Sequence, residues 1–364
     1  MRLDSLTIRQ VRNLSDVSIT PNPEVNIFYG ANASGKTAIL ESIYLLSKAR
    51  SFRTAHIKEV IQHKQEYLTV SALINTQENK TVSTGLKKSG KETEIRYNGE
   101  RVKAVSEQAK NVVVQTANPE NTTLLTGSPK DRRKWIDWAM FHVEHDYLQV
   151  WHSYHRALRN RNALLRRGAK EDEYYVWEST MADTAKDLKS RWQKYLDCLQ
   201  QYYQETAAEH ACAGVTFSAR KDKQKNDEFL EHLQTTRSSD IKAGFTQQGP
   251  HKADFDFKVE GRHIGTIFSR GQIKLFIILL SIAQAKLLKN ERGVTPIFLA
   301  DDLTAELDKK TVNMLLDLLY EERMQLFITT TDPGEIIKTN QESSLFHVEQ
   351  GHVKNVRIDT ENNA

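Results

Sequence analysis

The chain has 364 residues, with 51 lysines and arginines against 47 aspartates and glutamates, which gives a formal net charge of +4. This length suits two domains, and the mildly basic charge permits nucleic-acid binding without requiring it. Two cysteines exclude a disulfide framework and a cysteine-rich zinc cluster, and they are typical of a reduced cytoplasmic protein. Because no run of eighteen apolar residues and no apolar leader follow Met1, we expect no membrane span and no export.

The first third of the chain, residues 1–118, has the pattern of a mixed α/β domain. Short apolar or alternating segments predict strands at residues 6–8, 17–19, 25–29, 67–74, 81–86, 94–97 and 111–115. After the third of these segments, apolar residues recur at helical spacing from Ile39 to Ala49. The order is therefore strand, glycine-containing loop and helix.

The loop between that strand and that helix has the pattern G-x-x-x-x-G-K-T of a phosphate-binding P-loop. Its residues are Gly30, Ala31, Asn32, Ala33, Ser34, Gly35, Lys36 and Thr37. The loop backbone can turn its N–H groups toward phosphate, Lys36 can reach the β- and γ-phosphates, and the Thr37 hydroxyl can ligate Mg²⁺. The start of the helix adds its positive dipole end. The alternative, a coincidental glycine turn, does not account for the flanking strand and helix.

The next segment, residues 119–244, has a helical pattern. Tyr147, Trp151, Tyr154 and Leu158 fall on one face of a helix, and a second long helix is predicted through residues 177–199. The aromatic residues suggest base stacking, but their helical spacing favours a helical core. We therefore predict three parts: residues 1–118 as an amino-terminal lobe, residues 119–244 as an inserted helical arm, and residues 245–364 as a carboxy-terminal lobe.

Basic residues are concentrated in the first half of the inserted arm. Between residues 128 and 170, four acidic residues face ten basic ones: Lys130, Arg132, Arg133, Lys134, Arg156, Arg159, Arg161, Arg166, Arg167 and Lys170. Such a strip neutralises phosphates without reading sequence. We take Arg132, Arg133, Arg156 and Arg159 as candidate DNA contacts, with a solvated helix face as the alternative.

The carboxy-terminal lobe contains a second acidic element. Strands are predicted at residues 253–259, 296–300 and 325–330, an apolar helix at 273–288, and a closing hairpin at 345–348 and 352–356. The strand at 296–300 ends in Asp301 and Asp302. We expect Asp301 to hold Mg²⁺. We expect two residues to act in catalysis, Asp302 by polarising the attacking water and Lys36 through its contact with the phosphates. The alternative is that the two carboxylates only cap a turn.

A second anion site precedes the apolar helix. Its residues are Ser269, Arg270, Gly271 and Gln272. Because one nucleotide does not need two such sites, we expect this one to bind the γ-phosphate of a partner's ATP across a dimer. Glu306 and Asp308 would line the same interface. The alternative is that Ser269 is an ordinary helix cap.

These segments together resemble the RecF family of recombination and repair ATPases along essentially the whole chain. The resemblance rests on residues 11–14, the P-loop, residues 51–53 (Ser-Phe-Arg), 127–137, 154–165, 249–254, 269–272, 301–302 and 306–308. Four departures stand out. Residues 32–34 (Asn-Ala-Ser) make the P-loop less rich in glycine than in most of the family. Lys252 replaces the family's usual arginine, Gln115 matches a Q-loop glutamine only loosely, and no switch histidine is evident in residues 327–332.

The resemblance implies an α/β fold, an ABC-type P-loop ATPase head like that of SMC proteins, with an inserted helical arm. It implies that ATP and Mg²⁺ are bound, with Arg12 and Asn13 as further nucleotide contacts. It also implies an ATP-dependent homodimer that binds gapped or single-strand/double-strand junction DNA. Such a dimer would act with RecR and RecO to promote RecA loading, in replication restart and the SOS response. Hydrolysis would be weak and DNA-dependent. The alternatives are an ABC-family ATPase with another cytosolic partner and a P-loop small-molecule kinase.

Overall fold

A computed structural model of the chain describes residues 1–76, 80–118, 122–144, 146–208, 210, 212–220, 228–336 and 342–356. The contacts within the chain define two compact units. The first unit consists of Met1–Thr122 together with Ser269–Ala364, and the second consists of Thr123–Phe268. The second unit is therefore an insertion in the sequence of the first.

The strands, in chain order, are β1 (Arg2–Val11), β2 (Leu14–Ile19), β3 (Val25–Tyr29), β4 (Tyr67–Asn75), β5 (Thr81–Ser89), β6 (Thr93–Tyr97), β7 (Glu100–Arg101), β8 (Val114–Ala117), β9 (Thr216–Ala219), β10 (Phe255–Val259), β11 (Arg262–His263), β12 (Ile297–Ala300), β13 (Leu326–Thr330), β14 (Ser343–Glu349) and β15 (His352–Val356). The helices are α1 (Lys36–Lys48), α2 (Val105–Asn111), α3 (Thr123–Thr126), α4 (Pro129–Val143), α5 (Tyr147–Arg167), α6 (Tyr175–Ala207), α7 (Phe229–Thr235), α8 (Arg237–Ala243), α9 (Ile264–Ile267), α10 (Arg270–Arg292) and α11 (Lys309–Glu321).

A largely parallel sheet forms the centre of the first unit. Its strand order is β15-β14-β3-β13-β12-β8, and only β15 runs antiparallel to its neighbour. All residues of β12 and β13 are buried, as expected for strands covered on both faces. The Phe28 ring stacks on Phe346, with 4.9 Å between the ring centroids. Because the strands are parallel, the residues that follow β3, β12 and β13 lie along one edge of the sheet.

An antiparallel sheet forms the other part of the first unit, in the order β2-β1-β4-β5-β6-β7. Along β4 the side chains of Leu68, Val70, Ala72 and Ile74 are buried and alternate with more exposed ones, which is the pattern of a strand with one solvated face. The buried side chains of this sheet and of α1 form one hydrophobic core with residues of the parallel sheet. That shared core fixes α1, and therefore the loop before it, against both sheets.

Helix α10 is long and apolar enough to cross a membrane by length and composition, and it is the one such helix in the described ranges. Most of this apolar stretch, 72%, is buried inside the protein. The helix packs against β8 and α11. Its hydrophobicity is therefore that of a core helix, although no run of eighteen apolar residues occurs in the sequence.

The second unit is mostly helical, and its aromatic residues form a core as predicted. Tyr147 and Tyr154 of α5 are buried, and the Trp192 indole of α6 donates a hydrogen bond to the Tyr147 hydroxyl at 2.9 Å. The unit also contains a three-stranded antiparallel sheet in the order β11-β10-β9, of which the sequence predicted β10, as residues 253–259, but not β9 or β11.

The boundaries of the insertion differ from the prediction. Residues 245–268, which the sequence assigned to the carboxy-terminal lobe, belong to the second unit. The reason is strand pairing, because β10 pairs with β9 through Phe257 opposite Phe217. The predicted first boundary, residue 119, lies outside the described residues.

A buried arginine organises the interior of the second unit. The Arg161 side chain is completely buried. Its guanidinium donates hydrogen bonds to Glu178 at 3.0 Å, Asp240 at 2.7 Å and the Thr246 hydroxyl at 2.7 Å, as well as to the Leu233 carbonyl at 2.9 Å. A buried ion pair requires this degree of hydrogen bonding to offset the loss of hydration. Arg161 is therefore not part of a DNA-binding strip, although it is one of the ten basic residues of that segment.

We expect Arg161→Met to lower the free energy of unfolding of the chain by about 3–5 kcal/mol, because Asp240 would stay buried without its cation, while Glu178 would keep only Arg237. Urea denaturation followed by tryptophan fluorescence measures the effect. The matched control is Arg156→Met on the same helix, where the side chain is exposed and the change should stay within about 0.5 kcal/mol. Equal stability of the two variants would contradict the structural role of Arg161.

Candidate nucleotide site

The predicted P-loop connects β3 to α1, and two of its glycines have backbones that other residues adopt poorly. Gly30 has φ +148°, and a Cβ atom there would lie 2.2 Å from the Val348 carbonyl oxygen. Gly35, the residue before α1, has φ +122°. Glycine is required at Gly30 because the backbone of β14 is too close for any side chain.

The P-loop is held from two sides through the carbonyl of Ser34. The Asn13 side chain, in the turn between β1 and β2, donates to this carbonyl at 2.9 Å. The Gly351 N–H, in the turn between β14 and β15, donates to it at 2.8 Å. Asn13, predicted as a nucleotide contact, is thus placed where it orients the loop backbone.

Arg12 lies beside the same loop but binds protein groups. Its guanidinium makes a bidentate ion pair with the buried carboxylate of Glu41 on α1, at 2.9 Å for both bonds, and donates to the Glu59 carbonyl at 2.7 Å. This arrangement fixes α1 to the segment around Glu59. A direct contact between Arg12 and a nucleotide stays a prediction.

The structure brings together the two residues that were predicted to hold Mg²⁺. The Thr37 hydroxyl donates to a carboxylate oxygen of Asp301 at 3.0 Å, although the residues are 264 positions apart. The Thr329 hydroxyl donates to the same oxygen at 2.7 Å. Burial raises the pKa of Asp301, while the hydrogen bonds from Thr329 and Thr37 act in the opposite direction. A carboxylate and a hydroxyl next to a phosphate site are the oxygen ligands that Mg²⁺ prefers, so these residues fit the metal.

Lys36 lies over the loop, as a phosphate-binding lysine requires. Its ammonium donates to the carbonyls of Gly30 at 2.7 Å and Ala31 at 2.9 Å. Burial lowers the pKa of Lys36, and the charges of Asp302 and Asp301 oppose that shift. The buried Ser34 hydroxyl oxygen has no hydrogen-bond partner among the described residues. An unsatisfied hydroxyl in the loop fits a phosphate group, because a buried polar atom is normally hydrogen-bonded.

Asp302 follows Asp301 in a tight turn with a positive φ of 53°. Its N–H donates to the Thr329 hydroxyl at 2.7 Å, and its carbonyl accepts from the Lys274 ammonium at 2.6 Å. Lys274 also donates to the Ala305 carbonyl, and burial lowers the pKa of Lys274. Thr329 and Lys274 therefore hold the turn that carries both predicted carboxylates.

Sequence reasoning missed these two positioning residues. For Thr329 a signal existed, because β12 and β13 are adjacent parallel strands with Ala300 opposite Ile328, so that the next residues of both strands are neighbours. For Lys274 the only indication in the sequence of a positioning role is that a lysine interrupts the apolar pattern of α10. Gln115, the loose Q-loop candidate, is buried and donates to Gln284 at 3.1 Å, away from the strand ends.

The predicted signature, Ser269 to Gln272, forms the start of α10. The Ser269 hydroxyl accepts from the Gln272 N–H at 3.3 Å, and the Gln272 side chain accepts from the Ser269 N–H at 2.9 Å. The helix-cap alternative is therefore realised in this conformation, which leaves the exposed Ser269 and Arg270 at the surface. Binding of a partner's phosphate by this segment stays a prediction.

The signature lies against the segment of Glu306 and Asp308, which the family resemblance identifies as the D-loop. A Cβ atom on Gly271 would come within 2.9 Å of the Glu306 carbonyl oxygen, so a glycine permits this close approach. Asp308 caps α11 by accepting from the Thr311 N–H at 2.9 Å, and this bond lowers the pKa of Asp308. The first turn of α10 and the segment after Asp302 are therefore neighbours within one chain.

The position of the missing switch histidine is taken by hydroxyl groups. Thr330, at the end of β13, is buried, and its hydroxyl lies 3.1 Å from the Thr304 hydroxyl in the turn after Asp302. The Thr330 hydroxyl also donates to the Asp332 carbonyl at 3.0 Å. The strand end next to β3 is thus linked to the D-loop segment by a pair of threonines.

The four predicted DNA contacts are placed very differently. Arg156 and Arg159 are exposed on α5. Arg132 is buried and makes an ion pair with Asp254 at 2.6 Å, which excludes it as a surface contact and corrects the prediction. Arg133 is partly buried and donates to the Ala253 carbonyl at 2.5 Å. Both residues of α4 thus hold the segment that leads into β10, whereas Arg156 and Arg159 of α5 face solvent.

Comparison with known proteins identifies relatives of the whole chain. The family model for the RecF/RecN/SMC N terminal domain matches residues 2–354. The DNA replication and repair protein RecF of Pseudomonas fluorescens (strain Pf-5) is 36% identical over 360 residues, covering 97% of this chain and 98% of the relative. RecF of Pseudomonas aeruginosa (strain LESB58) is 35% identical, covering 97% of both chains.

Solved structures show the same similarity in three dimensions. The recombination mediator protein RecF with ATP, of the RecFOR pathway, superposes with a TM-score of 0.85 at 25% identity, covering 98% of this chain and 97% of that chain. An SMC head bound to the C-winged helix domain of ScpA superposes with a TM-score of 0.58 at 15% identity, covering 99% of this chain and 98% of that chain, which shows the fold alone. The predicted fold class, an ABC-type ATPase head of the SMC kind, is confirmed.

We expect Thr329→Val to raise the Mg²⁺ concentration needed for half-maximal binding of a fluorescent ATP analogue by about tenfold, because hydrogen bonds to charged groups contribute about 1.5–3 kcal/mol. Without the hydroxyl the pKa of Asp301 rises further, so the metal must compete with a proton. The change is measured by titrating Mg²⁺ at fixed analogue concentration. Thr329→Ser keeps the hydroxyl and should stay within about twofold of the unmodified protein; a valine variant that matches it would contradict the role of Thr329.

Proposed function

The chain belongs to the RecF family, and from this membership and the geometry of the site we propose that it is an ATP-gated DNA-binding protein of recombinational repair and replication restart. The observation that carries the proposal is the meeting of Thr37 and Asp301 at the edge of the parallel sheet, beside a P-loop fixed by its neighbours. A P-loop alone binds phosphate, whereas this pairing also provides oxygen ligands for a metal.

ATP would bind along the P-loop, as the RecF–ATP structure supports. The loop N–H groups and the Lys36 ammonium would take the β- and γ-phosphates, and Lys36 would exchange its present carbonyl partners for phosphate oxygens. Thr37 and Asp301 would hold Mg²⁺, which would neutralise charge on the phosphates. Asp302, fixed by Thr329 and Lys274, would orient and polarise the attacking water.

Hydrolysis would require a second copy of the chain. Ser269 and Gly271 would bind the γ-phosphate held by the partner, with Glu306 and Asp308 at the same interface. The support is physical: Lys274 of α10 bonds to the carbonyls of Asp302 and Ala305, so the helix that begins with the signature is tied to the catalytic turn of its own chain. Binding of a partner's γ-phosphate to the signature would therefore affect the turn that carries Asp302, and nucleotide binding beside that turn would affect the signature. Turnover would be slow, because the dimer acts as a switch.

DNA would be held by the exposed arginines of α5, with Arg156 and Arg159 neutralising backbone phosphates. By family membership we propose gapped or junction DNA as the substrate, RecR as a direct partner, and RecO and RecA as functional partners in the cytoplasm during the SOS response. The similarity to RecF with ATP, a recombination mediator protein of the RecFOR pathway, supports this assignment.

We expect the chain to be a monomer without nucleotide and with ADP, and a dimer with a non-hydrolysable ATP analogue, because only the γ-phosphate reaches the signature of a second copy. Multi-angle light scattering, with and without gapped duplex DNA, measures the change. A monomer under all conditions would overturn the proposed dimer.

Three variants make this experiment specific. Ser269→Arg should block the dimer while analogue binding to the monomer is retained, because the large cation occupies the trans site. Asp302→Asn should keep ATP binding, reduce turnover and trap the dimer with ATP itself. Lys36→Ala should abolish both binding and dimer formation. Unchanged dimerisation of Ser269→Arg would contradict the trans assignment.

We expect Arg156→Glu combined with Arg159→Glu to weaken binding to duplex DNA and to reduce the slope of log K against log salt by about two, because two phosphate contacts are lost. Fluorescence anisotropy at several salt concentrations gives the slope. Lys186→Glu with Lys194→Glu makes the same charge change at exposed positions of α6 and serves as the control. An equal slope for both double variants would show that Arg156 and Arg159 do not contact DNA and only form a solvated helix face.

A further inference from the structure

The loop after α8, in the second unit, exposes an aromatic ring. Phe245 is 44% exposed, and Ile241, one helical turn earlier, is 39% exposed. Few large apolar side chains of the described residues are as accessible, and the site described above uses neither of these two. A single exposed apolar side chain is ordinary on a protein surface, so the case for a ligand at Phe245 depends on what surrounds the ring.

The ring is held in place by its neighbours in the chain. Gly244 ends α8 in the left-handed conformation with φ 75°, and its N–H donates to the Asp240 carbonyl at 2.8 Å. On the other side, the Thr246 N–H donates to the Asn162 side chain of α5 at 2.8 Å. The Thr246 hydroxyl also accepts from the buried Arg161. Phe245 therefore sits between two fixed residues, and presenting its ring requires no ordering of the loop.

Three cations lie at this ring or on the residues that flank it. The Lys252 ammonium lies over one face of the ring, 5.4 Å from its centroid. A Cβ atom on Gly244 would lie 3.7 Å from Arg166 Cγ, which places the exposed Arg166 of α5 next to the loop. The exposed Lys242 lies on the last turn of α8. Positive charges near a flat apolar ring are suited to a single-stranded nucleic acid, whose phosphates are negative and whose bases can stack on the ring.

The ring also lies at the end of a basic strip. We define the α5 strip as the exposed residues of one face of the helix, spaced by four and three positions: His152, Arg156, Arg159, Ala163 and Arg166. Arg156 and Arg166 are ten residues apart, which is about 15 Å along the helix axis. This length corresponds to roughly four base steps of duplex DNA at 3.4 Å per step. The strip therefore leads from Arg156 directly to Phe245.

We propose that Phe245 is a stacking platform for an unpaired base, and that the loop after α8 binds single-stranded DNA at the end of the α5 strip. This inference rests on the proposed DNA-binding function and adds to it the element that distinguishes a strand junction from a plain duplex. Inside a duplex both faces of each base are already stacked, so an internal base pair offers the ring no free face. An unpaired base has free faces, and Lys252 and Arg166 can neutralise the phosphates on either side of it.

The arrangement also indicates which end of α5 would contact the duplex and which end would contact the single strand. Arg156 and Arg159 lie toward the start of α5, where they would follow the backbone of the duplex. Arg166, Lys252 and Phe245 lie at its end, where the single strand would continue. Exposed apolar area at the loop is limited to Ile241 and Phe245 among the described large side chains of this region, which is small for a protein interface and sufficient for one base.

The test uses the full chain with a non-hydrolysable ATP analogue and fluorescence anisotropy on three probes: oligo-dT, a blunt duplex, and an oligonucleotide of the same length made of abasic sites. We expect Phe245→Ala to raise the Kd for oligo-dT about tenfold and to leave the Kd for the blunt duplex within about twofold, because stacking contributes about 1–3 kcal/mol per base. Phe245→Trp, which keeps an aromatic face, should bind oligo-dT as well as the unmodified protein or better. The abasic probe should bind equally to the unmodified protein and to Phe245→Ala.

The matched control is Tyr175→Ala, an aromatic residue that is 58% exposed on the first turn of α6, and we expect no change for it on any probe. A Phe245→Ala variant that loses affinity equally for all three probes would overturn the stacking proposal, as would one whose affinities are all unchanged. The latter result would show that the ring has no part in DNA binding. If the unmodified protein binds none of the probes, the proposed DNA-binding function itself fails, which distinguishes the two conclusions.

Discussion

The candidate site depends on a single buried carboxylate that two hydroxyl groups share. Asp301 follows β12, accepts from Thr37 on α1 and from Thr329 on β13, and is nearly inaccessible to solvent. A carboxylate in such a position is costly unless it is hydrogen-bonded or bound to a cation. The parallel order of β3, β13 and β12 satisfies this requirement, since it places the three strand ends side by side. The placement of the P-loop, of the predicted metal ligands and of the turn that carries Asp302 thus follows from one strand order.

The inserted unit also contains buried charged groups, which are stabilised there by ion pairs. Arg161 and Arg132 are both buried, and each is paired with carboxylates that come from distant parts of the sequence, Asp240 and Asp254. These pairs fix the loops between α8 and β10 against α4 and α5. They also explain why only part of the basic segment is available at the surface. A segment of the sequence that is rich in arginine can therefore supply buried ion pairs as well as exposed cations in this unit.

Sequence patterns identified the elements that follow from local chemistry. The P-loop, Asp301 and Asp302, and the aromatic core of α5 all have signals within a few residues, and the order of strands and helices places them correctly. The patterns were insufficient where partners are remote. The pairing of β9 with β10 moved the boundary of the insertion, and Arg132 appeared to be a DNA contact because Asp254 is 122 positions away. Burial of a charged residue depends on such partners, and no local pattern contains them.

The contacts that hold the P-loop have a consequence for the order in which the site folds. Ser34 is held by Asn13 from the first hairpin and by Gly351 from the last one, and Gly30 lies against Val348. During synthesis, the phosphate-binding loop leaves the ribosome early, but two of the groups that shape it are made more than three hundred residues later. A nascent chain therefore contains the whole P-loop sequence without a finished P-loop. Contacts of such long range form slowly, so the loop reaches the conformation described here only after the last hairpin has been made and has packed against it.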